Sequence, residues 1–386
     1  MPRPLAGRVA GLRPSATVEM TERVRAARAA GRRILALNSG DPGIPTDPRI
    51  VEAAHRAILA GDTRYAPAPG VPALREALAA RENARARSAY GEGDILVTPG
   101  GKFALLAALM GTVEAGNEVI VPAPGWVSYE PCVRLCGGVP VALPMLDRVD
   151  PERLAAVVTP RTVAIILNSP VNPTGRTIGA EDLAAVMAVA ERHDLWVIFD
   201  QVYADLVHAP SFARPHATPA GQARTFVVDS FSKTFGMTGW RLGFLGMPPG
   251  TAKAVQRFMQ HSVYCVPGFV QAAGLAALAL EAELVPGTRA RFRARQLRAA
   301  ERLSAIPGIA CIAPDASFYL FPRVDADDRL VAARWLEDLD VSTLPGSAFG
   351  AAGTGHLRIS VTAPEADIEE ALDRIARAGL PVASAA

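Results

Sequence analysis

Three short apolar runs constrain this chain more than any other feature: Ala164-Ile165-Ile166-Leu167, Trp196-Val197-Ile198-Phe199 and Thr225-Phe226-Val227-Val228. None alternates polar with apolar residues, and a helical stretch, Glu181–His193, lies between the first two. Continuous apolar runs of this length, spaced by helices, read as strands buried on both faces of a parallel sheet. The expected class is α/β. Each run also ends in polar residues: Asn168 and Asn172-Pro173-Thr174-Gly175 after the first, Asp200 to Tyr203 after the second, and Ser230-Phe231-Ser232-Lys233 after the third. Ligands of such sheets sit outside the carboxyl ends of the strands, so the three motifs should converge on one pocket.

The third motif carries one of only three lysines in 386 residues, the others being Lys102 and Lys253. The other 37 basic residues are Arg. Where Arg fills nearly every surface role, a retained Lys points to chemistry that guanidinium cannot do. A primary amine forms a Schiff base with an aldehyde, whereas Arg stays protonated. The hydroxyls of Ser230 and Ser232 flank this amine and Arg241 follows eight residues later, which suits an anion clamp beside a covalent carbonyl site.

Composition sets the bounds. A chain of this length that is 50% apolar can bury a large core, and its length suggests two domains. Forty basic against 38 acidic residues, with no run of like charge, argue against a nucleic-acid partner. Pro2, Arg3, Pro4 and Arg8 break up any apolar signal segment, and no apolar run approaches the roughly 18 residues of a membrane span, so a cytoplasmic protein is expected. Cys132, Cys136, Cys265 and Cys311 are too few for a disulfide framework and lack the His or second Cys pair of a zinc site; they read as buried structural thiols.

Gly100-Gly101-Lys102 ends the strand-like Ile95–Thr98 and opens the apolar helical stretch Phe103–Met110. It is either a plain strand-to-helix turn or a phosphate site at a helix N-terminus. A nucleotide P-loop is excluded, because it would need Gly at Leu96 and Ser or Thr at Phe103.

Taken in order, Ser39-Gly40-Asp41-Pro42, Tyr65-Ala66-Pro67, Gly100-Gly101-Lys102, Asn172-Pro173-Thr174-Gly175, Asp200 with Tyr203, Ser230-Phe231-Ser232-Lys233 and Gly239-Trp240-Arg241 resemble the pyridoxal-phosphate aminotransferases of fold type I, in the aspartate-aminotransferase-like branch of class I/II. The resemblance runs from about Leu12 to Ser360. It implies a three-layer αβα large domain at 41–280, a smaller α+β domain at 281–386, and an N-terminal arm at 1–40 that joins the small domain. It also implies a homodimer with shared active sites, no metal, and an amino group moved between an L-amino acid and a 2-oxo acid. Glutamate/2-oxoglutarate or aspartate/oxaloacetate would be one pair.

The same resemblance assigns the site residues. Lys233 would bind pyridoxal 5'-phosphate as a Schiff base and then act as general base and acid. Asp200, otherwise a helix N-cap, would pair with the pyridinium nitrogen; Tyr203 and Asn172 would hydrogen-bond the ring's phenolate oxygen; Trp126, otherwise a core aromatic, would stack on the ring. Gly100, Gly101 and Lys102 through their backbone, Ser230, Ser232 and Arg241 through side chains, and Tyr65 from a second subunit would hold the phosphate. Arg358, in the strand-like His356–Ser360, would grip the substrate α-carboxylate with Gly40 adding a backbone contact, Asn172 would also belong to the substrate-binding set, and Lys102 would approach a distal carboxylate. A surface arginine is the plain alternative for Arg358.

Three places depart from the family pattern: Gln201 stands where Glu is usual, Gly43-Ile44-Pro45 replaces a typical Asp-Phe pair, and Tyr264-Cys265 occupies a Ser/Thr-rich segment. These leave open another pyridoxal-phosphate reaction, a β-lyase or a biosynthetic oxidation or replacement. A non-catalytic cofactor-sensing protein is the other alternative, although only about 40 residues precede Ser39, fewer than a DNA-binding domain needs.

Overall fold

The computed structural model describes residues 3, 5–12, 14–146, 148–209 and 212–381. Part of the expected arm (Met1, Pro2, Pro4 and Arg13) lies outside them. The apolar runs become the strands Thr162–Asn168, Trp196–Asp200 and Thr225–Ser230, adjacent and parallel in a seven-stranded sheet. From one edge the order is Ile95–Thr98, Gly243–Gly246, Thr225–Ser230, Trp196–Asp200, Thr162–Asn168, Glu118–Ala123 and Val139–Pro144. Gly243–Gly246 runs antiparallel to both its neighbours, and the remaining pairings are parallel.

The alternation of side chains explains why no polar residue interrupts these strands. Ile166 and Ile198 enter one apolar layer with Leu105 and Ala108 of the helix Gly101–Thr112, while Ile165, Leu167, Val197 and Phe199 enter the opposite layer with Leu183 and Val186 of the helix Ala180–Arg192. Both faces of the sheet are covered, which leaves the strand ends as the place for polar chemistry. A further core gathers Leu35, Leu37, Phe292, Leu303, Phe318, Trp335, Ile359 and Ile375. There the strand Leu35–Ala36 pairs parallel with Val341–Ser342, so the N-terminal segment joins the C-terminal layer.

Behind the strand ends lies a buried ionic cluster. Arg81 reaches Asp205 (2.6 Å), Glu281 (2.8 Å) and Asp229 (3.4 Å), and Arg85 bonds Asp205 and Glu281. Gln201, fully buried, donates its amide to Glu82 (2.9 Å) and Asp229 (3.3 Å). This departure from the family pattern therefore faces the cluster, and Gln201 is not among the residues lining the large cavity described below. The amide is the donor that lets two carboxylates sit side by side, and burial pushes Asp229 up. Gln201→Glu removes that donor and adds a charge, so unfolding free energy should fall by about 2 kcal/mol. A carboxyl raised by burial holds its proton in the folded chain and releases it in the unfolded one, so the loss should grow from about pH 5 to about pH 8. Denaturant melts at both pH values check this.

Among the described residues no single helix is long and apolar enough to cross a membrane. The cysteines are free, as expected, but only Cys132 is buried; Cys136, Cys265 and Cys311 lie at partly exposed ends and turns, where short helices and loops cannot enclose them.

Candidate active site

The strand ends and the second core enclose a cavity of about 620 Å³. Gly40, Gly101, Lys102, Trp126, Asn172, Asp200, Tyr203, Ser230, Ser232, Lys233, Arg241 and Arg358 all line it. Gly100 and Tyr65 do not. The residues flagged in sequence thus largely meet in one place, and the two exceptions have distinct reasons.

Gly100 shapes the wall from behind. Its φ is +81°, and a Cβ there would come within 2.6 Å of the Arg241 guanidinium. Glycine lets that guanidinium close against the turn, where it donates to Thr238 O (2.8 Å). The following helix, Gly101–Thr112, has no side-chain cap at its N-terminus, and the first amides of a helix lack intrahelical partners. Ser230 ends its strand, caps the short helix Phe231–Thr234 by accepting from Ser232 N (3.1 Å), and donates its hydroxyl to Ser232 Oγ (2.8 Å). Amides, hydroxyls and a guanidinium together form a cradle suited to a phosphate dianion.

Lys233 projects from that short helix and donates to Gly40 O at 2.6 Å. Burial, opposed by Asp41 and assisted by Arg358 and Arg241, pulls its amine down to about 8. On the order of one molecule in ten then carries a neutral, nucleophilic amine near pH 7. Asp200 is buried at its strand end and pushed up to about 6 by burial, against the hydrogen bonds from Tyr129 Oη (2.8 Å) and Val202 N (3.2 Å) that favour its ionised form. Sequence reasoning missed Tyr129. Its spacing of three from Trp126, onto the first turn of the helix Tyr129–Leu135, was the available signal.

Arg358 is 1% exposed, yet no carboxylate lies within ion-pair distance of it among the described residues. One terminal nitrogen donates to Asn172 Oδ1 (3.0 Å) and the other to Asn38 O (2.8 Å), while Nε is buried without a partner. The plane lies over Tyr319 (4.4 Å) and Phe349 (5.0 Å). A buried guanidinium held this firmly with no counterion is suited to receiving an anion. Tyr319 and Asn38 were also missed, and Tyr319 further shares a hydrogen bond with Tyr203, Oη to Oη at 3.1 Å. Lys102 rests its ammonium over the Trp126 ring at 5.2 Å at the exposed rim.

Tyr65 is 86% exposed and packs edge-on against Tyr264, with ring centroids 5.0 Å apart. Within one chain it does not reach the phosphate cradle.

The donor set fits pyridoxal phosphate: a cradle for the phosphate, a carboxylate for a ring nitrogen, an amine for an aldehyde and an orphaned guanidinium for a substrate carboxylate. Comparison with known proteins agrees. Residues 32–375 match the family described as aminotransferase class I and II. The aspartate aminotransferase of Geobacillus stearothermophilus is 36% identical over 97% of this chain and 98% of its own length, and the aspartate/prephenate aminotransferase of Thermus thermophilus is 35% identical over 97% and 98%. Among solved structures, the Thermus thermophilus aspartate aminotransferase with maleate superposes with a TM-score of 0.93 at 35% identity, covering 97% of this chain and all of that one. The chain therefore belongs to the class I and II aminotransferases: it is a pyridoxal-phosphate-dependent amino-acid transaminase of fold type I, in the branch that holds the aspartate aminotransferases.

Proposed function

We propose that this transaminase uses glutamate/2-oxoglutarate or aspartate/oxaloacetate as one of its substrate pairs, and that the unpaired, buried Arg358 receives the α-carboxylate. That guanidinium is the observation that carries the reading, because an isolated buried charge is costly unless a ligand completes it. Bound in the cradle, pyridoxal phosphate supplies an aldehyde that captures amines and a ring that accepts electrons from Cα. The chain's own residues do the rest. Lys233 would hold the cofactor's aldehyde carbon until the substrate amine takes that place, and its neutral amine would then move the Cα proton. Asp200, its ionised form favoured by the hydrogen bond from Tyr129, would face the ring nitrogen. Tyr203 and Asn172 would bond the phenolate oxygen, Trp126 would cover the ring face, and Gly101, Lys102, Ser230, Ser232 and Arg241 would hold the phosphate.

Tyr65 completes the phosphate site only from a second copy, so the working unit is a homodimer with shared sites: the partner subunit's Tyr65 reaches the cradle. The cavity then lies between a large domain, 41–280, and a small one built from 281–386 with the arm 1–40. Four unpaired cysteines suit a reducing cytoplasm.

Lys102 supplies the bias toward acidic side chains. Its ammonium lies against Trp126 and forms no ion pair among the described residues, so it is available to a distal carboxylate and free to swing aside for a neutral side chain. Relatives named for both aspartate and prephenate accord with a cation at this place, because each of those compounds carries a second carboxylate. The test is Lys102→Met assayed against a panel of amino donors and 2-oxo acids. A hydrogen bond to a charged group is worth about 1.5–3 kcal/mol, so kcat/KM for dicarboxylic substrates should fall roughly 10- to 150-fold, with neutral substrates little changed. An equal loss on both would assign Lys102 to the phosphate cradle alone.

A further inference from the structure

Tyr264 adopts a backbone conformation that bulky side chains avoid. Its φ is +67°, and Cys265 N donates to Val263 O at 2.9 Å, closing a three-residue turn around it. Turns of this hand are rare and strained, and glycine or asparagine meets them at lower cost. The ring that this turn projects is 44% exposed, so core burial does not account for it. What it touches is Tyr65, edge to face, with an interplanar angle of 66°. The two segments are also tied from beneath: fully buried Gln271 accepts from Val71 N (2.7 Å) and donates to Val266 O (2.7 Å). The turn that carries Tyr264 and the loop that carries Tyr65 therefore form one mounted unit.

We propose that Tyr264 is a positioning residue for Tyr65, restricting its ring so that the phenol is already oriented for the cofactor phosphate in a second copy's site. This rests on the reading of Tyr65 as a ligand supplied across the dimer. An exposed tyrosine would otherwise spread over several rotamers and lose that freedom at each binding event. The strained turn moves the ordering cost from the binding step to the fold.

The test measures cofactor affinity of apoprotein titrated with pyridoxal phosphate, read by protein fluorescence, alongside apoprotein melting temperature. Tyr264→Gly and Tyr264→Asn both suit the left-handed turn, so melting temperature should hold or rise while the dissociation constant rises about 2- to 13-fold, the worth of one aromatic pair. Tyr264→Phe keeps the ring edge and should bind as the parent does. Tyr65→Phe should weaken binding by itself, and adding Tyr264→Gly to it should weaken binding no further. Unchanged affinity in Tyr264→Gly and Tyr264→Asn, with Tyr65→Phe impaired, would overturn the role of Tyr264 and leave the shared site standing. Unchanged affinity in Tyr65→Phe would remove the shared-site reading and this inference with it. A melting temperature that falls in both turn variants would make the ring a structural brace and also overturn the proposal.

Discussion

Lys233→Ala should lower transamination by at least about 10⁴-fold, the upper end of what general acid–base catalysis contributes by itself. The loss reaches that limit because, in the proposed function, one amine would do two jobs: hold the cofactor and move the Cα proton. Its environment favours both, since burial beside Arg241 and Arg358 pulls it down to about 8 and keeps a neutral fraction at physiological pH. Single-turnover rates at saturating aspartate or glutamate, followed by the cofactor's absorbance, provide the measurement. A residual rate within tenfold of the parent would transfer the proton to another base.

Arg358→Gln should reduce kcat/KM for amino acids about 150- to 5,000-fold, the range expected when a buried, hydrogen-bonded charge pair loses one member at about 3–5 kcal/mol. Arg358→Lys should fall in between, because an ammonium keeps the charge but neither forks onto a carboxylate nor stacks between Tyr319 and Phe349. The specific control is an amine substrate without an α-carboxylate, whose turnover should be little altered. A loss shared by both substrates would recast Arg358 as a brace for Asn172 and Asn38.

What the sequence revealed of this site follows from how each residue is held. The strands were legible because burial on both faces strips them of polar residues, and the chemistry stood out at their ends: Asn168 with Asn172, Asp200, Ser230, Ser232 and Lys233 all line the cavity. Lys233 was legible a second way, through the scarcity of lysine. Tyr129, Tyr319 and Asn38 were not, since each acts through a tertiary contact: Tyr129 reaches Asp200 from 71 residues away, and Asn38 meets Arg358 across 320. No local pattern records such distances. Gln201 was legible as a departure from the family pattern, but not its surroundings. Standing where Glu is usual, it left substrate and reaction open, and its side chain turns to the ionic cluster of Glu82 and Asp229. Tyr65 depended wholly on family context, because exposed by itself it resembles any surface aromatic.

The central claim is that Lys233 carries the cofactor, and borohydride reduction of the holoenzyme followed by peptide mapping tests it most directly. The account predicts a pyridoxyl group on the peptide containing Ser232-Lys233-Thr234. A label on Lys102 or Lys253 instead would contradict it and overturn the assignment of the site.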